Sequence, residues 1–298
     1  MSLAGRLEGE EAKASSPSSR LGKTVTLGPG LAYLAVMLGA PLALIVGYSF
    51  LTRGSFGGVV MEPTLDAWGK LANPIFFDVV AGSIKIASIA TVLALAIGYP
   101  AAWVIAGLPA KWKTVALVAV VLPFWSNFLI RTYAWIVLLN NEGLINRVLR
   151  GWGLIDEPLG MLYTEGAIVV GLVYIYLPLM ILPLYSSIER LDPALREAAF
   201  DLGASPRRTF RRVLLPLTLP GIMAGSIFVF VPSLGNFVVP ELLGGGQEIM
   251  IGNLVRDQFF KARDLPFGSV LALCVIALML VLLFIQATVL RRTRETHG

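Results

Sequence analysis

Few side chains in this sequence have the types and spacing that chemistry needs. Among 298 residues His297 is the only histidine and Cys274 the only cysteine. Histidine-based catalysis, zinc chemistry and disulfides within the chain are therefore excluded. The tripeptide Gly22-Lys23-Thr24 mimics the end of a phosphate-binding loop, but that motif needs a glycine five residues earlier, after a strand. Position 17 is Pro17, in a polar tail, so the chain has no nucleotide site of this kind. The residues left over are isolated charges, a polar break and aromatic rings. Lys85 and Arg131 stand inside apolar runs, where ionisable groups are costly and often functional. Both are expected toward the outer membrane surface, where Arg131 snorkels or pairs with an acid such as Asp78 or Glu165, or else contacts the solute or gate. Asn236 and Glu241 lie at a break, Pro232-Ser233-Leu234-Gly235-Asn236, in a run that ends at Pro240-Glu241; broken helices in transporters line the pathway, or the break is a kink packed against a neighbouring helix. Trp125, Tyr133 and Tyr174 offer aromatic faces to an ammonium group, or act as interfacial anchors and bundle packing.

The elements that must position these residues are membrane helices. The chain is 56% hydrophobic and 14% charged, with a mean hydropathy of +0.76, whereas soluble domains carry about 25% charged residues. A bilayer crossing needs roughly 20 apolar residues. Six runs qualify: Leu31 to Leu51, Val79 to Ala106, Val115 to Leu139, Ala167 to Ile188, Leu219 to Pro240 and Gly268 to Leu290. The fold class is an all-α integral membrane protein with six transmembrane helices. A polar, Ser-rich tail over residues 1–28 is expected to be disordered, the transmembrane domain covers 29–291, and 292–298 form a short tail. Lys111, Lys113, Arg207, Arg208, Arg211, Arg212, Arg291 and Arg292 all fall in segments on one side. The positive-inside rule makes that side, and both termini, cytoplasmic. The net charge of +5 is thus a topology signal and implies no nucleic-acid partner.

The cytoplasmic segment at about 189–218 stands out. Asp192-Pro193 is a helix start, an N-cap carboxylate followed by proline. The helix runs through Ala198 and Ala199, and Gly203 can end it in the left-handed conformation. Ser205-Pro206 repeats the start signal, and a second short helix bearing four arginines runs to Pro216, where the fifth span begins. Glu197-Ala198-Ala199, Gly203, Val213 and Leu215-Pro216 together resemble the signature loop of importer permeases of the ATP-binding cassette (ABC) superfamily. Pro123-Phe124-Trp125, Leu129 to Tyr133, Leu182 to Glu189, Pro240 to Gly245 and Ile251-Gly252-Asn253 look like the spermidine/putrescine branch of that family.

The resemblance implies an ABC importer permease fold in a cytoplasmic membrane, with a helix-Gly-helix coupling loop that inserts into a cytoplasmic ABC ATPase dimer. It implies a second permease subunit and an extracytoplasmic solute-binding protein as partners, beside membrane lipid. It implies no cofactor on this chain, since ATP would be bound by the ATPase, and no metal. Spermidine or putrescine is the expected solute, with an opine, an amine osmolyte or an anion as the alternative. A membrane enzyme is opposed by the lack of clustered catalytic groups, and a non-transporting scaffold would not need the docking signature.

Overall fold

The computed structural model describes residues 17–295 and is helical apart from one small hairpin. Helix α1 spans Pro17–Tyr48. It is followed by an antiparallel pair, β1 (Leu51–Arg53) and β2 (Val59–Pro63), and a short α2, Asp66–Gly69. Then come α3 (Pro74–Ala106), α4 (Ala110–Val121), α5 (Phe128–Leu139), α6 (Leu144–Gly151), α7 (Glu165–Glu189) and α8 (Pro193–Asp201). The chain continues through α9 (Pro206–Gly235), α10 (Val238–Leu243), α11 (Ile251–Phe260) and α12 (Leu265–Glu295).

Five of these, in α1, α3, α7, α9 and α12, are long and apolar enough to cross a bilayer, and the bent pair Ala110–Trp125 with Phe128–Gly151 makes a sixth where it is taken as one broken span. The expected tail over 1–28 falls partly outside the described residues, and from Pro17 onward the chain is already helical. The third expected span, Val115 to Leu139, is not one helix. It divides into α4 with a 3₁₀ turn, Leu122–Trp125, and then α5, with a bend of 91° between the two helical segments. At 1.5 Å per residue a 12-residue helix covers about 18 Å, short of the roughly 30 Å hydrocarbon layer. Pro123 and the Asn127 cap, whose side chain accepts from the Leu129 amide at 2.8 Å, explain the break locally. The hairpin had no expectation in the sequence.

The core is the triangle of α3, α7 and α9. Helix α3 presents a buried stripe of small residues, Ser83, Ala87, Ala90, Thr91, Ala94, Gly98 and Ala102, that lets backbones approach as membrane helices require. A Cβ on Gly98 would lie 2.9 Å from Met180 Cγ, and one on Gly225 of α9 would lie 2.7 Å from Met180 Sδ. Met180, Leu184 and Ile175 of α7 fill the centre and are essentially inaccessible. Outward-facing apolar residues such as Val92, Val104 and Phe228 are exposed, as a lipid-facing surface should be. Helix α1 leans on α12 at the edge of the bundle.

Candidate coupling and solute sites

One end of the bundle carries the segment expected to form a helix ended by a glycine corner. Asp192 Oδ1 accepts from the Ala194 amide at 2.9 Å, and Pro193 occupies the first turn of α8. Gly203 has φ +74°. Its amide donates to the Phe200 carbonyl at 2.9 Å, while the Ala204 amide donates to that of Ala199 at 3.0 Å. This paired closure satisfies orphan carbonyls at the end of α8, and it needs a residue at ease with positive φ. Ala199 is buried, whereas Glu197, Ala198 and Gly203 are exposed. Among the described residues the Glu197 side chain makes no ion pair or hydrogen bond. Leu195, Phe200 and Leu202 are also exposed, Leu202 by 88%, an apolar display on a short polar-flanked helix.

The second half of the segment differs from the expected separate helix. Pro206–Thr209 passes through a π-helical turn, Phe210–Leu214, straight into Leu215–Gly235. The result is one helix of 30 residues, about 45 Å long. A hydropathy reading placed the start of the span at Leu219 because the arginines are polar, yet arginine is a good helix former. Val213, Leu215 and Pro216 therefore sit in or just beyond the π turn, half-buried. Tyr99 of α3 grips this turn. Its ring meets Phe210 edge-to-face at 5.8 Å, and its hydroxyl is 2.9 Å from Thr218 Oγ1. A groove of about 570 Å³ between α3 and α8, lined by Tyr99, Trp103, Phe200 and Phe210 among others, lies alongside. Lys113 Nζ and Glu189 Oε1, 2.9 Å apart, tie α4 to the end of α7.

At the opposite end, the break expected near Asn236 is present. Helix α9 stops at Gly235 and α10 begins at Val238. Asn236 is buried and its amide is committed: Oδ1 accepts from the Val239 amide at 2.9 Å and Nδ2 donates to Tyr176 Oη at 2.8 Å. It caps α10 and braces the break against α7. Glu241 is part of a charge cluster. Arg256 Nη2 donates to Glu241 Oε2 at 2.9 Å, and Arg256 Nε and Nη2 donate to Asp257 Oδ1 at 2.8 and 2.6 Å. Asn253 Nδ2 reaches the Phe237 carbonyl at 2.8 Å and Glu241 Oε2 at 3.3 Å. Lys261 Nζ donates to Asp257 Oδ2 at 3.0 Å. Burial pushes the Asp257 carboxyl up, but hydrogen bonds from Arg256 and Lys261 outweigh it and hold the group below the usual carboxylate range.

The remaining candidates separate. Lys85 pairs with Glu165 at 2.7 Å, one of the two acids named for Arg131. Among the described residues Arg131 has no acid partner. It lies beyond the bend, is only 9% exposed, and its Nε and Nη1 find no partner among the described residues. Its guanidinium sits 5.6 Å from the centre of the Phe124 ring, so the straight outward helix that would carry it to an interface is absent. Trp125 is 84% exposed at the bend, and Tyr133 lies on the exposed face of α5. Tyr174 packs edge-to-face against Trp135 at 5.6 Å. Among the described residues, Trp125, Arg131 and Tyr133 make no hydrogen bond or ion pair with Glu241, although α5 packs against α10. Sequence reasoning missed Arg256, Asn253 and Tyr99. Arg256 is polar in a short amphipathic helix, and only its position 15 residues after Glu241, across a glycine turn, hinted at a pair.

Comparison with known proteins agrees with this architecture. A family model described as binding-protein-dependent transport system inner membrane component matches residues 31–295. The spermidine/putrescine transport system permease protein PotB of Salmonella typhimurium is 44% identical over 253 residues, 85% of this chain and 88% of that protein. The protein of the same name from Escherichia coli is 43% identical, over 85% of this chain and 92% of its own length. A chain of the crystal structure of a bacterial alginate ABC transporter, in complex with an alginate pentasaccharide-bound periplasmic protein, superposes with a TM-score of 0.72 at 15% identity. The match covers 92% of this chain and 96% of that one, a likeness of fold alone.

Proposed function

The chain belongs to the family of binding-protein-dependent transport system inner membrane components, and from that premise we propose that it is a permease subunit of an ABC importer for the polyamines spermidine and putrescine. One observation carries the solute assignment: 43–44% identity across 85% of the chain to permeases named for spermidine/putrescine transport. The chain is a multi-pass inner-membrane protein, in keeping with its family and its apolar helices.

In this reading both termini and the Glu189–Thr218 segment face the cytoplasm, as the basic excess there supports. An extracytoplasmic binding protein delivers solute at the opposite end. A second permease subunit completes the path, and a cytoplasmic ATPase dimer binds and hydrolyses ATP. Glu197, Ala198, Ala199 and Gly203 form the part of the handle that enters the ATPase. Val213, Leu215 and Pro216 carry its motion along α9 toward the membrane, and Tyr99 spreads it to α3. The exposure of Glu197 and Leu202 supports the docking role, because among the described residues Glu197 makes no ion pair or hydrogen bond and Leu202 is 88% exposed. Glu241 belongs to the solute path, where a carboxylate attracts a polycation. Asn236 shapes that path by holding the break open. Trp125, Tyr133 and Tyr174 serve as membrane-surface or subunit contacts.

The test is complementation. A cell lacking its own polyamine import, given this permease with its partner subunits, should take up labelled putrescine and spermidine. Excess unlabelled polyamine should compete, and sulfate should not. Uptake of another solute with no polyamine competition would refute the assignment.

A further inference from the structure

Four arginines open α9, and neither the glycine corner nor the solute path uses them. Arg207, Arg208, Arg211 and Arg212 are exposed, and with Ser205 they line one open cavity of about 630 Å³. None of the four has an ion pair among the described residues, and no carboxylate lines the cavity. Arg207 with Arg211, and Arg208 with Arg212, stand four residues apart on one helix, a spacing at which like charges repel. The Ser205 side chain makes no capping hydrogen bond. Four guanidinium forks and a hydroxyl thus share one space, and forks of this shape bind phosphate oxygens two at a time. The other face of the same turns is already engaged. Pro206, Thr209, Phe210 and Leu214 line the groove against α3 and α8, which has no residue in common with the arginine cavity.

Depth in the membrane selects the kind of phosphate. Helix α9 is about 45 Å long against roughly 30 Å of hydrocarbon, and its far end stops inside the bundle, where Leu234 is buried. The surplus length therefore falls at the arginine end. Counted from Leu215, where the apolar stretch begins, Arg212 to Arg207 stand about 5–12 Å further along the axis. A headgroup layer occupies about 5–8 Å beyond the hydrocarbon, and arginine stems lie along apolar surface while their charged ends reach it. We propose that Arg207, Arg208, Arg211 and Arg212 form a binding site for the phosphodiester headgroup of an anionic phospholipid, and that the bound lipid pins the start of α9 beside the π turn and the Gly203 corner. An acidic surface of the ATPase fits less well, because the exposed Glu197 and Leu202 belong to the α8 segment and the arginines face away from the groove that α8 helps to form. Lipid binding at this site is independent of which solute is carried.

The experiment titrates the full complex, purified in a neutral detergent, with labelled phosphatidylglycerol in mixed micelles and reads the lipid retained when the complex is captured. Wild type should retain phosphatidylglycerol saturably and should not retain phosphatidylcholine. Arg208→Gln with Arg212→Gln should weaken retention about twentyfold, since one basic residue at an anionic surface is worth about fivefold. Arg208→Lys with Arg212→Lys keeps the charge but loses the fork, and should weaken it about threefold. Lys111→Gln with Arg190→Gln removes two exposed charges expected on the same side of the membrane, and should stay within about twofold of wild type because charges beyond a Debye length are screened. Equal weakening by this control pair would overturn the site, since the attraction would then be diffuse. Equal retention of phosphatidylcholine would overturn it as well. Displacement of the lipid by an equal concentration of inorganic phosphate would make the cavity a site for a free anion and would also overturn the lipid assignment. Loss of the ATPase from the captured Gln pair, with lipid retention unchanged, would give the arginines to the ATPase instead. Should the Gln pair assemble poorly, the Lys pair and the phosphatidylcholine comparison decide the matter.

Discussion

Replacement of Gly203 tests whether the corner between α8 and α9 transmits force. The residue has φ +74°, and a Cβ built there meets nothing within 4 Å. A side chain at this position therefore suffers no clash, and its whole cost is conformational. For an L-residue held in the left-handed region that cost is about 1–2 kcal/mol, or a factor of roughly 5–30 in the population of the native corner. A β-branched residue lies at or above the top of this range, while asparagine tolerates the conformation. The two closing hydrogen bonds from Gly203 and Ala204 must loosen when φ relaxes, and α8 then loses its fixed angle to α9. Gly203→Val should reduce solute moved per ATP hydrolysed about tenfold, and Gly203→Asn should leave that ratio within about twofold of wild type. The assay is parallel measurement of phosphate release and labelled-solute uptake in proteoliposomes, with the amount of assembled complex determined by affinity capture. Equal ratios for Gly, Asn and Val would refute the reasoning, because backbone strain would then have no bearing on coupling.

Three further outcomes follow from the packing and charge. Gly225→Val places methyls against Met180, whose carbonyl would lie 3.1 Å from the new Cβ; it should destabilise the bundle by about 1–3 kcal/mol, read as a lower Tm in detergent and partly restored by Met180→Ala. Tyr99→Phe deletes the contact with Thr218 and should cost about 1 kcal/mol by the same melt; no change in Tm would show that the α3–α9 bridge contributes nothing. Asp257 is held below the usual carboxylate range, so its stabilisation is complete above the unfolded value of about 3.9 and is lost as pH falls through the lower native value. The Tm gap between wild type and Asp257→Asn should accordingly stay constant from pH 8 to about 5 and shrink below about pH 4; a gap that widened on acidification would contradict the ion-pair account.

Local signals in the sequence were reliable where one short stretch decides the structure. Asp192-Pro193 and Gly203 specify the start and stop of α8 by capping chemistry alone, and both behave as their types require. Apolar runs located most of the long helices for the same reason, since burial in lipid depends on composition. What hydropathy could not read is helix continuity. The four arginines before Val213 lower the local apolarity but not the helical tendency, so α9 begins at Pro206 instead of Leu219. The reverse held for Val115 to Leu139, where uninterrupted apolarity concealed a break set by Pro123 and Asn127. Pairings across the fold were the least legible. Lys85 with Glu165 was recoverable because topology placed both at one end. Arg256 with Glu241 depends on how α11 folds back beneath α10, which no local pattern encodes, and it turned an apparently free carboxylate into an occupied one.

The measurement that bears most directly on the central claim is accumulation of labelled spermidine by sealed proteoliposomes containing this chain, its partner permease, the ATPase and the binding protein. Import against a gradient should require ATP and the binding protein, and should vanish when this chain is left out or carries Gly203→Val. Accumulation that persists without this chain, or its absence for every polyamine tried in a complex that hydrolyses ATP, would contradict the account.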